Sequence, residues 1–187
     1  MTEKERYTHR RTIKDILFRK NLLMNHSNIA VLKQLDELLH QLSDKEYARP
    51  LDIISQNTIG KHVRHILEFY TCLLQGIENK SVDYDARERN LDLENYTEKA
   101  LEASHFIAEK LINLDSKVEL ELFATLPHKR AKLITTIDRE LYYVLEHTIH
   151  HFAIIKIAVK NQFPHIKIAD EFGVAYATLQ HQETITN

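Results

Sequence analysis

The residues of this chain best suited to chemistry are its histidines. There are twelve in 187 residues. At that density roughly one pair spaced i, i+4 is expected by chance, and one occurs, His147 with His151. Their setting is more informative than their spacing. Both lie in Leu145-Glu-His-Thr-Ile-His-His-Phe-Ala-Ile-Ile, where an imidazole without a partner would be buried at an expense of a few kcal/mol. Residues four apart on a helix share a face with Cβ atoms ~5 to 6 Å apart, so two such rings can converge on one ion. Two ligands hold a metal weakly, and a catalytic site normally uses three with one position open. The segment Thr58-Ile-Gly-Lys-His-Val-Arg-His-Ile-Leu-Glu offers the third: His62 and His65 share a helical face beside an apolar stripe, and one of them would face His147 and His151 across a bundle core. The competing reading is of core histidines bonded to carbonyls, Glu or water.

The elements that must position these rings are helical. Only three Gly and three Pro occur, so few breakers interrupt long elements. Pro50 and Gly60 bracket one connection and Gly76 closes a periodic run. Apolar residues recur at three- and four-residue steps from Asn21 to Leu42, marking a first helix. Thr58 is a good N-cap for a second, with a stripe from Ile59 to Ile77 that ends near Gly76. After a polar connection from Glu78 to Asn90, a third helix runs from Tyr96 to Leu114. Val118, Leu120 and Leu122 alternate with Glu119 and Glu121 as a half-buried strand does, with Pro127 and His128 in a turn before Ala131 to Ile134, so a small β-hairpin is expected. The fourth helix runs from near Thr136 to about Lys160 and reads as apolar on most of its circumference, as the most buried element. After Pro164 the pattern is loop with one or two short helical turns, and Phe172, Val174, Tyr176 and Leu179 are available to cover an end of the bundle.

Together, the His62 to His65 segment, the loop Val82-Asp-Tyr-Asp-Ala-Arg-Glu-Arg, and Asp138-Arg-Glu-Leu followed by His147-Thr-Ile-His-His-Phe-Ala resemble the DinB-like superfamily of metalloproteins (DinB/YfiT-like), over roughly Leu22 to Leu179. The resemblance implies an all-α, up-down-down-up four-helix bundle, often dimeric, with one metal held by a second-helix histidine and an HxxxH pair of the fourth helix. Carried over by position, the ligands are His65, His147 and His151, with His62 as the fallback and His150 as a supporting or packing ring. Relatives that use iron for sulfur-carbon chemistry carry a Glu two residues after the second histidine of the pair; here that residue is Ala153, which argues against such a role. Cys72, two turns beyond His65, is read as a core thiol rather than a participant. Arg87 and Arg89, with Asp83, Tyr84 and Asp85, form either a loop over the site, where an Arg holds an anionic substrate, or an exposed ion-paired loop. Arg139 and Glu140 are equally open, since Glu near a helix N-terminus is favoured by the dipole alone.

Three neutral imidazoles leave the full charge on a divalent ion. The leading expectation is a metal-dependent enzyme, either a hydrolase using metal-bound water or a thiol-S-transferase using metal-bound thiolate, acting on a small molecule that the sequence does not identify. Its alternative is a non-catalytic metal-binding or stress-responsive sensor or scaffold. Imidazoles suit several metals; zinc or nickel is favoured and iron is permitted.

Composition sets outer bounds. The 25 basic and 27 acidic residues are interspersed, for a formal charge of -2 and a pI near 6.6, so no electrostatic footprint for nucleic acid or an anionic membrane is present. The densest basic stretch, Arg6 to Lys20, reads as an N-terminal arm or lead-in helix over residues 1–20. No apolar run nears the ~20 residues of a membrane span and no apolar signal core follows Met1. With a lone cysteine, the expectation is one cytoplasmic domain over residues 1–187, with a homodimer permitted by the resemblance.

Overall fold

A computed structural model describes residues 23–112, 114–115 and 118–186; the expected N-terminal arm lies outside them. The chain is mainly helical with a small three-stranded sheet. In order it forms α1 (23–39), α2 (Asp44–Tyr47), α3 (Ile59–Asn79), β1 (Ser81–Val82), α4 (Asp92–Asn95), α5 (Thr97–Ile112), β2 (Glu119–Leu126), β3 (Lys129–Thr136), α6 (Ile137–Gln162) and α7 (Tyr176–Thr186). Short 3-10 turns occupy Asp52–Ile54 and Tyr84–Ala86. No helix among the described residues is long and apolar enough to cross a membrane.

The core is built by the predicted stripes. Val31, Leu32, Leu35, Leu38 and Leu39 of α1 are buried with Val63, Ile66, Leu67, Tyr70 and Leu73 of α3, Ile107 and Leu111 of α5, and Leu141, Val144, Phe152 and Ile155 of α6. Two polar contacts fix α1 within this apolar setting. Tyr70 Oη donates to Asn28 Oδ1 at 2.7 Å, and Asn25 Nδ2 donates to the Leu114 carbonyl at 3.1 Å. Buried amide groups left without such bonds are destabilising, and Asn25 Oδ1 is one such group.

α3 is central, packing against α4, α5, α6 and β1. Thr58 caps it, its side chain accepting from Lys61 N at 2.9 Å. The helix does not stop at Gly76. It continues to Asn79 and closes on Lys80, whose left-handed backbone (φ 54°) lets its N–H return to the carbonyls of Gly76 and Ile77. Gly76 serves close approach instead: a Cβ there would lie 2.5 Å from Val82 Cγ2 and 2.7 Å from the Ser81 carbonyl oxygen. Gly60 likewise sits inside α3, where a Cβ would collide with the Glu94 carbonyl of α4.

The hairpin forms in the predicted place, with Leu126 opposite Lys129 across the Pro127-His128 turn. It is longer than the alternation suggested, and β1 adds a parallel strand, pairing Ser81 with Glu121 and Val82 with Leu122. Leu120 at its root is buried, whereas Leu133 and Ile134 are more than half exposed. α6 also differs from expectation. Tyr142 and Ile157 are more than half exposed, so the helix has a solvent face rather than neighbours all round. The C-terminal segment forms an 11-residue helix, α7, in place of short turns. Phe172 packs before it, its ring stacked on Phe152 at 4.1 Å.

Candidate metal centre

α3 and α6 pack directly on one another and bring the sequence-predicted histidines to one place. His65 comes from the second turn of α3; His147 and His151, one turn apart, come from the middle of α6. His65 Nε2 and His147 Nε2 are 2.9 Å apart, and His151 Nε2 lies 3.2 Å from His147 Nε2. One ligand nitrogen from each of the three falls within 4.8 Å of the others. Bonds of ~2.0 to 2.1 Å to one ion at angles near 90 to 110° place two imidazole nitrogens about 2.9 to 3.4 Å apart, so this cluster could hold a metal ion.

The electrostatics favour free lone pairs. Burial pushes His151 down to about 3, helped by His147, His65 and His62, and pushes His65 down to about 4, helped by the Arg87 guanidinium. His147 and His62 are lowered as well, first by burial and then by His150. All four rings are therefore uncharged near neutral pH, the form that binds metal.

The surroundings give roles to groups that the sequence left open and add Phe69 and Thr135, which it did not single out. His62 is not among the three converging ligands. Its Nδ1 lies 2.9 Å from Nδ1 of His151, so it supports that ring from behind, while its own Nε2 is buried without a hydrogen-bond partner. Phe69, one turn beyond His65, stacks on His147 at 4.4 Å and on Tyr84 at 4.8 Å. Tyr84 Oη donates to Glu140 Oε2 at 2.9 Å, and Glu140 Oε1 accepts from Thr135 Oγ1 at 2.6 Å and Arg139 Nη1 at 3.0 Å. Glu140 is thus a fully buried anchor for the ring stack, a stronger role than favouring a helix dipole. Nothing in its position in the sequence reveals the Tyr84 partner, which arrives from a loop.

Known proteins resemble the chain in part. No protein-family model matches it. A stretch of 107 residues is 35% identical to FK506-binding protein 5 of Rhizopus delemar, covering 54% of this chain and 27% of that protein. The chain thus spans little more than a quarter of the curated relative it matches.

The 82–89 loop divides into two roles. Arg87 is mostly buried against the centre, whereas Arg89 is exposed. Asp83 accepts from the backbone N–H groups of Asp85 and Ala86 at 3.2 and 3.3 Å and pairs with Arg130. Asp85 accepts from Thr125 N at 3.0 Å. These ties fasten the loop to the hairpin and hold Arg87 in place. Cys72 is half-buried and points its thiol at the Asp83 carbonyl, 3.3 Å away, and burial raises its pKa, which suits an inert thiol. His150 is exposed, its ring edge-on to His151 at 5.6 Å.

Proposed function

We propose that this chain is a DinB-like divalent-metal protein, with an up-down-down-up bundle of α1, α3, α5 and α6, and that it acts as a metal-dependent enzyme of the hydrolase or thiol-S-transferase type on a small molecule. The observation that carries this reading is the convergence of three imidazoles, His65, His147 and His151, from two helices with Nε2 separations of 2.9 and 3.2 Å.

When bound, a divalent ion supplies Lewis acidity, with its charge undiminished by neutral ligands. The protein's own groups do the rest. His65, His147 and His151 hold the ion. His62 orients His151, and the Phe69, Tyr84 and Tyr143 rings wall His147 and limit water on that side. Among metals with affinity for imidazole, zinc or nickel is the preferred occupant.

The test is to add zinc, nickel or iron to metal-stripped protein and screen ester, amide and activated thiol-acceptor substrates. Metal-dependent turnover that disappears with His147→Ala is expected. Turnover unaffected by that change would refute the assignment of the site.

A further inference from the structure

We propose that Arg87 is a latch on the histidine centre: closed on His65 it opposes metal loading, and it must release that ring when an ion binds. This rests on the metal-binding reading above and adds a regulatory element to the same site.

Arg87 reaches the back of the His65 ring, with Nη2 2.8 Å from His65 Nδ1. Three other contacts hold it there. Nη1 donates to the Tyr84 carbonyl at 2.7 Å, Nε lies 3.3 Å from Glu68 Oε2, and the guanidinium sits 5.0 Å over the Phe69 ring. Glu68 is itself fixed, accepting from Asn90 N at 2.9 Å and pairing with Arg64 at 3.5 Å.

A guanidinium only donates, and it keeps its protons in a protein. His65 Nδ1 must therefore be the acceptor, and a neutral imidazole that accepts at Nδ1 carries its hydrogen on Nε2. That hydrogen points at His147 Nε2, 2.9 Å away. A metal at Nε2 requires the opposite tautomer, with the lone pair on Nε2 and the hydrogen on Nδ1, where it needs an acceptor. Arg87 presents a donor at that position. Metal on His65 Nε2 and Arg87 on His65 Nδ1 are thus incompatible in a neutral ring.

The other rings crowd the same point. If His65 donates from Nε2, the single lone pair of His147 Nε2 accepts that hydrogen, and His151 Nε2, 3.2 Å from the same nitrogen, has no second lone pair there to donate to. One hydrogen per ring therefore cannot satisfy every contact in the cluster, and the buried His62 Nε2 has no hydrogen-bond partner. Loading an ion on Nε2 reverses the His65 tautomer. Arg87 has space for its part of the change. It lines a cavity of about 560 Å³ with Cys72, Gln75 and Asn79, and Glu68 is also in that lining, so the guanidinium can swing away while remaining beside its carboxylate.

The experiment titrates zinc into metal-stripped wild type, Arg87→Gln and Arg87→Lys, and records imidazole ¹⁵N spectra of wild type with and without zinc. Glutamine removes the obligatory donor and offers a carbonyl to Nδ1–H, so zinc should bind at least about tenfold tighter than in wild type, the scale of one charge-assisted hydrogen bond. Arg87→Lys retains both charge and donor and should remain closer to wild type. In wild type the His65 hydrogen should move from Nε2 to Nδ1 on zinc addition. Zinc binding by wild type with equal or weaker binding by Arg87→Gln overturns the latch, as does a His65 Nδ1 that stays unprotonated with zinc bound. If neither protein binds zinc, the metal reading fails and the latch with it.

Discussion

Removing the carboxylate of Glu140 should be among the most damaging single changes near the centre, although Glu140 touches none of the three candidate ligands. The group is fully buried and accepts three hydrogen bonds, from Tyr84, Thr135 and Arg139. In Glu140→Ala, the Arg139 guanidinium can turn to solvent, being more than half exposed, but the hydroxyls of Tyr84 and Thr135 lose their acceptor inside the protein. Each such orphan is worth roughly 1 to 3 kcal/mol, and with the void left behind the loss should be roughly 3 to 5 kcal/mol. For a chain of this size that lowers the melting temperature by ~8 to 16 °C. Glu140→Gln should lie between, at about 1 to 2 kcal/mol, because its carbonyl still serves Thr135 and its amide can donate to the Tyr84 oxygen. Thermal and urea unfolding followed by circular dichroism give the ranking, wild type above Gln above Ala. An alanine variant melting within ~3 °C of wild type, or a glutamine variant as weak as alanine, would refute the anchoring argument.

Other expectations follow from the same geometry. Because burial holds His65 and His151 at about 4 and about 3 and lowers His147 as well, protons compete for these rings only at lower pH than for ordinary imidazoles, so zinc affinity should persist below the ~6.5 at which an ordinary imidazole would start losing zinc. Metal-free protein should lose stability as pH falls from about 6.5 to 4, since the unfolded chain, with ordinary histidine values, takes up protons first over that window; melting temperatures that rise on acidification would contradict this. His62→Ala should weaken zinc about tenfold by removing the support behind His151, while His150→Ala, an exposed ring, should leave calorimetric affinity unchanged. Gly76→Ala should cost about 1 to 3 kcal/mol by driving a methyl into Val82 and the Ser81 carbonyl, measurable as a shifted urea midpoint.

Much of the helical framework and the three converging rings was legible in the sequence, for a physical reason. Period 3.6 placed Val63, Ile66, Leu67 and Tyr70 on the core face of α3, and the same period set His65 beside that face and His147 with His151 on one side of α6. Thr58 and Thr136 cap the two helices, where a side-chain oxygen before an apolar run is a local signal. What was hidden is tertiary. Gly76 reads as a terminator in one dimension but accommodates a strand in three, and the true end of α3 uses a lysine in a left-handed conformation that carries no strong sequence signal. β1 is two residues long, too short for alternation to show. Arg87 and Tyr84 reach the centre from a loop whose path periodicity cannot give. Glu68, one turn from His65, could have been suspected as a support for that ring, yet its actual partners are two arginines and the Asn90 N–H. The His62 contact with His151 depends on how α3 and α6 are set against each other, which spacing alone leaves open between His62 and His65.

The proposed centre is one cation shared by rings from α3 and α6. Calorimetric titration of zinc and nickel into metal-stripped protein, with elemental analysis of the dialysed product, tests it most directly. One equivalent should bind, with affinity falling at least about a hundredfold in each of His65→Ala, His147→Ala and His151→Ala, since two remaining imidazoles hold an ion poorly. Metal well below one equivalent, or full binding retained after His65→Ala, would contradict the shared centre.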